Sequence, residues 1–323
     1  MRILVLGASG YVGGRLLEKL RNSEWAVPVA AVRPQTADKF RKSDFEVIRY
    51  EATDSSSIAT ALSNVDCVVN CVAGAPAAIA DGARHLFEAA AATRVPRIVH
   101  LSSMVVYGGV TGTIDENAPL TSDGDGYAQA KVAAEKCASA YSQRGGKVVV
   151  LRPSCIYGPG SEQWTGRIGK LLRAGRVGDL GRNGDGYCNL IYIDDMVDAI
   201  IQAVRRPDID GQAFNVSNAI VDTWNKYFID FGRALGATPI RRISSKRLKL
   251  ERTLGAVLLK GAGELCRRLR LGAAYLPPPV TPSLARLWRQ EIRLDHRKSG
   301  ELLAFSLTPA SDGIARSARW LNG

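Results

Sequence analysis

Tyr127 and Lys131 stand four residues apart in Tyr127-Ala128-Gln129-Ala130-Lys131. On a helix that spacing puts both side chains on one face, so an ammonium can lie beside a phenol. A free tyrosine ionises near pH ~10, too high to release a proton readily at neutrality. A neighbouring positive charge stabilises the phenolate and lowers that value. The pair is therefore suited to acid–base work on a hydroxyl or carbonyl. Such pairs are also common on solvated helices, so the surroundings must decide. Upstream, two adjacent hydroxyls, Ser102-Ser103, close an apolar run.

The second chemical signal is Gly7-Ala8-Ser9-Gly10-Tyr11-Val12-Gly13, a G-x-x-G-x-x-G between an apolar run and a helical pattern. Glycines there allow a tight turn and let a pyrophosphate approach the helix N-terminus, where free N–H groups and the helix dipole favour an anion. Three glycines alone say little, because turns need glycine anyway. The strand-before, helix-after setting makes this a dinucleotide fingerprint. The next apolar run ends at Arg33-Pro34. An acid at that point would bind a ribose 2′-hydroxyl, whereas Arg33 would pair with a 2′-phosphate, which favours NADP over NAD. The alternative is a solvated arginine at a strand end.

The elements that must position these residues are legible as an alternation. Apolar runs at 2–6, 26–32, 45–50, 65–72, 97–101 and 147–151 are separated by helical patterns at 11–21, 55–63, 78–94 and 127–144. Near-continuous apolar strands alternating with helices predict an α/β, Rossmann-type, doubly wound parallel sheet covered on both faces. After Pro153 the alternation loosens into a smaller, mostly helical C-terminal substrate lobe. The expected division is a dinucleotide-binding domain over 1–160 and a lobe over 161–323. A strand and helix within 187–216 are expected to return to the first domain.

Several segments in order resemble one family: the glycine motif, Val72-Ala73-Gly74, Leu101-Ser102-Ser103-Met104-Val105-Val106-Tyr107-Gly108, the Tyr127/Lys131 segment, and Leu151-Arg152-Pro153-Ser154-Cys155-Ile156-Tyr157-Gly158-Pro159. The likeness continues through Asn189-Leu190-Ile191-Tyr192-Ile193-Asp194-Asp195 and Phe214-Asn215-Val216. Together they are similar to the extended short-chain dehydrogenases/reductases, the NAD-dependent epimerase/dehydratase group. The resemblance implies that Tyr127 is the acid/base, Lys131 its helper and holder of the nicotinamide ribose, and Ser103 the hydroxyl that orients substrate, with Ser102 a weaker candidate. It implies NAD(P) contacts at Gly7, Ser9, Gly10, Tyr11, Val12 and Gly13, at Arg33, at Glu51 or Asp54 against the adenine, and at Ala73, Pro153 and Cys155 near the nicotinamide. Arg15 on the first helix reads equally well as a surface residue.

Members that eliminate water or carbon dioxide tend to carry an acid just after the serine. Here Met104 and Val105 stand there and cannot move protons. Hydride transfer at a secondary alcohol or ketone is what remains, as epimerisation, reduction or dehydrogenation. A nucleotide-sugar-like substrate leads; a lipophilic or polyketide-like carbonyl used with NADPH is the rival, and a non-catalytic cofactor-sensing protein comes last because the Tyr/Lys pair is present.

Composition narrows the rest. The net charge is +12, and residues 241–298 carry 15 Lys/Arg against 4 acids. That segment would bind an anionic substrate, or lie on an anionic membrane surface through Lys246–Leu271, or form a solvated helical surface over its own core. No nucleic-acid module accompanies the charge. Six scattered cysteines without C-x-x-C read as reduced, packed thiols, and His85, His100 and His296 form no metal-ligand spacing. No run of about 18 apolar residues exists to span a membrane, and the N-terminus lacks signal-peptide character, so a cytoplasmic enzyme is expected. The resemblance implies a homodimer through the two long central helices.

Overall fold

A computed structural model describes residues 1–41, 43–93, 97–121, 123–219, 222–251 and 277–323. Its strands are β1 (Arg2–Leu6), β2 (Val27–Val32), β3 (Glu46–Arg49), β4 (Cys67–Asn70), β5 (Ile98–Leu101), β6 (Gly112–Ile114), β7 (Val148–Pro153), β8 (Cys155–Tyr157), β9 (Leu190–Tyr192), β10 (Ala213–Val216) and β11 (Ile292–Leu294). The helices that matter here are α1 (Tyr11–Arg21), α2 (Ser55–Ala61), α3 (Pro76–Thr93), α4 (Gly126–Gln143), α5 (Arg167–Arg173), α6 (Ile193–Arg205) and α7 (Trp224–Ala234). Among the described residues no helix is long and apolar enough to cross a membrane.

Seven strands form one sheet in the order β10-β7-β5-β4-β1-β2-β3, and every pairing is parallel. The chain runs outward from β1 to β3, then crosses back to β4 on the other side of β1. That reversal opens a crevice at the C-terminal ends of β1 and β4, where open α/β sheets take their ligands. Both faces of the sheet are covered, which is why the strands read as unbroken apolar runs. Along β1, Ile3 and Val5 join the core that includes α1 and α6. Leu4 and Leu6 point the other way, into the core that includes α2, α3 and α4.

The return of the chain after the lobe is partly different from expectation. β10 does join the main sheet, in register with β7 from Ala213↔Val150 to Val216↔Pro153, and α6 packs against α1 in the same core. β9 does not join it; it pairs with β8 in a separate two-stranded ribbon. A second small ribbon joins β11 to β6. Asn189 bridges the two, donating to the Ile292 carbonyl at 2.7 Å and accepting from the Leu294 N–H at 2.9 Å. The lobe is otherwise helical, around α5, α7 and the helices Ser245–Leu250, Pro282–Leu287 and Ala310–Asn322, with Trp224, Tyr227, Phe228 and Phe231 of α7 buried. Of the basic segment read from the sequence, residues 252–276 lie outside the described residues.

Candidate active site

The glycine loop sits at the crevice, between the end of β1 and α1. Gly7 holds φ at +78°, a left-handed conformation open to glycine at little cost. A Cβ on Gly13 would lie 2.4 Å from the Gly7 carbonyl oxygen, so only a glycine lets α1 close down on the strand. Gly10 caps α1, whose N-terminus receives no side-chain cap and has no acid in its first turn. Its leading N–H groups therefore point outward with the positive end of the helix dipole, an arrangement that fits a pyrophosphate. Ser9 and Gly10 are exposed, Tyr11 and Val12 half-buried. The Tyr11 ring packs beneath the turn at Gly158 and Gly160, and what Tyr11 offers the loop is its backbone. Arg15 is not a free surface residue: its Nε donates to Asp194 at 2.7 Å and its guanidinium also pairs with Glu18 at 3.2 Å.

On the β4–β5 side of the crevice Ser103, Tyr127 and Lys131 come together. Ser103 follows β5 and begins a short 3₁₀ turn over Met104–Tyr107, its Oγ accepting from the Val105 N–H at 3.4 Å. Tyr127 stands in the first turn of α4, which Asp125 caps by accepting from Ala128 N–H. Burial raises the Tyr127 phenol above its ordinary value, and a hydrogen bond with Ser103 works against that rise. The Cys155 thiol, at the start of β8, is close enough to add to the rise. Pro153 ends β7 and is buried; Ala73 follows β4 and is exposed.

Lys131 is 2% exposed. Its ammonium lies 6.0 Å from the centre of the Tyr127 ring and donates to the carbonyl oxygens of Leu101 at 2.7 Å and Val72 at 3.3 Å. The expectation that Lys131 lies beside the phenol thus holds for the ring, but its hydrogen bonds go to the strand ends. Burial lowers its pKa to about 8, with Cys71 and Glu135 pulling it back up.

At the β2–β3 side the structure separates what the sequence grouped. Arg33 is exposed at the end of β2 and its carbonyl accepts from Thr36. Glu51 is half-buried after β3, its N–H donating to Ser57 Oγ at 3.0 Å. Asp54 is used elsewhere: it caps α2, accepting from Ser56 N–H at 3.0 Å and Ser57 N–H at 3.4 Å. An aspartate at that position satisfies otherwise orphaned helix donors.

The sequence reading missed a buried polar cluster beneath the site. Arg152 of β7 makes a two-pronged ion pair with Glu135 of α4, the shortest contact being 2.7 Å. It also donates to the Tyr107 hydroxyl at 2.9 Å. That hydroxyl donates to Asn215 Oδ1 of β10 at 2.6 Å, and Glu116 accepts from the Asn215 N–H at 2.7 Å. Tyr107, Arg152 and Asn215 all belong to the motifs noted above, and here they meet as one network. The available signal was a charged or polar residue inside an apolar strand, as in Val148–Pro153 and Ala213–Val216.

Known proteins place this arrangement. A model of the NAD dependent epimerase/dehydratase family matches residues 3–217, from β1 through β10. The UDP-glucose 4-epimerase of Vibrio cholerae is 28% identical over 237 residues, covering 67% of this chain and 70% of that protein. A decarboxylating sterol-4-alpha-carboxylate 3-dehydrogenase of Candida albicans is 27% identical over 245 residues, covering 67% of this chain and 70% of that protein. The crystal structure of UDP-glucuronic acid 4-epimerase from Bacillus cereus in complex with NAD aligns over 100% of this chain and 99% of that chain, with a TM-score of 0.73 and 18% identity. The parallel sheet, the glycine loop and the family match over residues 3–217 converge: this chain belongs to the NAD dependent epimerase/dehydratase family.

Proposed function

We propose that the chain transfers hydride at a secondary alcohol or ketone of a nucleotide-sugar-like substrate, with Tyr127 as acid/base. The observation that carries this reading is the meeting of Ser103, Tyr127 and Lys131 at the crevice beside the glycine loop. Gly7, Ser9, Gly10, Tyr11, Val12 and Gly13 would hold the pyrophosphate of a nicotinamide dinucleotide, Glu51 would face its adenine, and Ala73 and Pro153 would border its nicotinamide. When bound, the dinucleotide supplies an acceptor and donor of hydride.

Ser103 hydrogen-bonds the substrate oxygen and fixes it beside the Tyr127 hydroxyl. Tyr127 takes the hydroxyl proton as the carbon is oxidised and returns a proton to the oxygen when the carbon is reduced. Burial favours the neutral phenol, the form that serves the acid step; the base step needs the phenolate, formed when the phenol has passed its own proton to solvent. The base step draws on positive charge, and the Lys131 ammonium, 6.0 Å from the ring, provides it. Met104 and Val105 occupy the position after Ser103 where an elimination would need a second proton carrier. This supports epimerisation or reduction over dehydration.

Arg33 supports a preference for NADP. It is exposed at the end of β2, and among the described residues it makes no ion pair. A second reading, oxidation or reduction of a lipophilic carbonyl, draws support from the sterol dehydrogenase among the relatives. One experiment separates these: purified protein is incubated with UDP-, dTDP- and GDP-sugars, and separately with hydrophobic ketones, with NAD or NADP, and products are read by mass spectrometry. Turnover of a sugar nucleotide is expected, and Tyr127→Phe is expected to lower it by about 10²–10⁴-fold. Undiminished turnover in Tyr127→Phe would sink the mechanism.

A further inference from the structure

The two carbonyls that hold Lys131 come from neighbouring strand ends, and the sheet has a device for fixing one of them. Asn70 of β4 and His100 of β5 face each other in register. Both are buried, at 4% and 2% exposure. Their side chains are bonded, Asn70 Nδ2 to His100 Nδ1, at 3.1 Å. Asn70 Oδ1 accepts from the Val72 N–H at 3.1 Å. That second bond settles the orientation of the amide, because a backbone N–H needs the oxygen. The NH₂ group therefore donates to His100, whose Nδ1 is the acceptor and whose proton sits on Nε2.

The imidazole is packed 5.7 Å from the Phe87 ring of α3. Burial, and then the nearby Lys131 charge, bring its pKa down to about 3. His100 is thus neutral across the working range and adds no second cation beside Lys131. It acts as a fixed acceptor that keeps the Asn70 amide from turning.

The geometry points to Asn70 as a positioning residue for Lys131. By binding the Val72 N–H it fixes the Val72 peptide, whose carbonyl oxygen accepts from the Lys131 ammonium, and His100 locks it in that orientation. This rests on the reading of Lys131 as the helper of Tyr127. The groups that face Lys131 are few: Tyr127 and Glu135 from its own helix, Cys71 from the end of β4, and His100 from β5. Glu135 is committed to Arg152, and burial pushes the Cys71 thiol up to about 12, so it too is neutral. A change at Asn70 alters the acceptor geometry at Lys131 while leaving Tyr127 and the Glu135–Arg152 pair in place.

The test is a pH titration of the Lys131 side-chain NMR signal in full-length, lysine-labelled protein, assigned with Lys131→Met. The midpoint is expected near 8. Asn70→Leu keeps the volume and removes both bonds; its midpoint should fall by about 1 pH unit, the size of one lost charge-assisted hydrogen bond. Asn70→Asp in a His100→Leu background keeps the acceptor for Val72, adds a negative charge and leaves no imidazole to neutralise it. Its midpoint should rise by about 1 pH unit relative to His100→Leu alone. A folded Asn70→Leu with the wild-type midpoint overturns the proposal. Should Asn70→Leu not fold, an unmoved midpoint in the Asp variant overturns it instead. Lys131→Met in the sugar-nucleotide assay keeps the two readings apart: unchanged turnover there defeats the role of Lys131, whatever the titrations give.

Discussion

On the Tyr127 side of the crevice the charged groups Lys131, Glu135 and Arg152 are held from within the core. Lys131 is 2% exposed and bound to two strand-end carbonyls, and Glu135 and Arg152 form a buried pair one helical turn further along α4. On the Arg33 side the charged residues are exposed or engaged in local structure: Arg33 at a strand end, Asp54 capping α2. The difference teaches where each property is anchored. Acid–base geometry is tied to the packing of the sheet, so changes there carry a cost in folding. On the proposed reading, cofactor preference would rest on exposed side chains such as Arg33, which change at little cost.

The largest expected effect is on the buried side. Arg152→Met would leave Glu135 buried and unpaired, at a cost of about 3–5 kcal/mol, and denaturant unfolding would read it. Replacing both partners, Glu135→Leu with Arg152→Met, should recover most of that loss. If Arg152→Met proved neutral, the contrast between the two sides would fail.

The pH dependence sharpens the same contrast. Burial brings Lys131 to about 8, below its value of ~10.4 in an unfolded chain. The ammonium is intact below pH 8, so turnover should be level there and fall about tenfold per pH unit above it. Stability should move the other way. Between about 8 and 10.4 the unfolded chain holds the proton that the folded chain has lost, so this group's contribution to stability rises with pH. Parallel pH–rate and pH–stability curves would check both signs.

The exposed side should respond in cofactor choice alone. Arg33→Asp is expected to weaken use of NADPH about tenfold or more relative to NADH, with thermal stability unchanged; equal losses in kcat/KM with both cofactors would remove Arg33 from the cofactor site. Smallest of all, Asp54→Ala should cost about 1 kcal/mol as a lost helix cap and leave the ratio of NADPH to NADH use as it was.

Much of this was legible in the residues. Helices such as 11–21 and 126–143 and the strands of the main sheet follow from apolar runs and helical spacing, because each pattern is local and several residues long. The glycine loop was legible because its steric demand is written in the residue type. The ribbons β6·β11 and β8·β9 were not: three-residue strands carry no period, and the partner of Gly112–Ile114 lies at Ile292–Leu294. Nor was the Asn70–His100 pair, although both break otherwise apolar strands, because their contact depends on the register of two strands thirty residues apart. By contrast, the capping role of Asp54 was legible, since a carboxylate before Ser55-Ser56-Ser57 is placed to bind the first helix donors.

The Tyr107–Arg152–Asn215 cluster has a consequence in time as well as in space. Asn215, on the edge strand β10, is 108 residues beyond Tyr107, and the chain makes α4, β7, α5 and α6 between them. As the polypeptide emerges during synthesis, α4 and the buried Arg152 of β7 exist before the Asn215 amide that completes their cluster. Contacts of such sequence separation form late and slow the search for the native state. The first domain therefore reaches its final arrangement only after β10, the strand that completes this cluster, has been made.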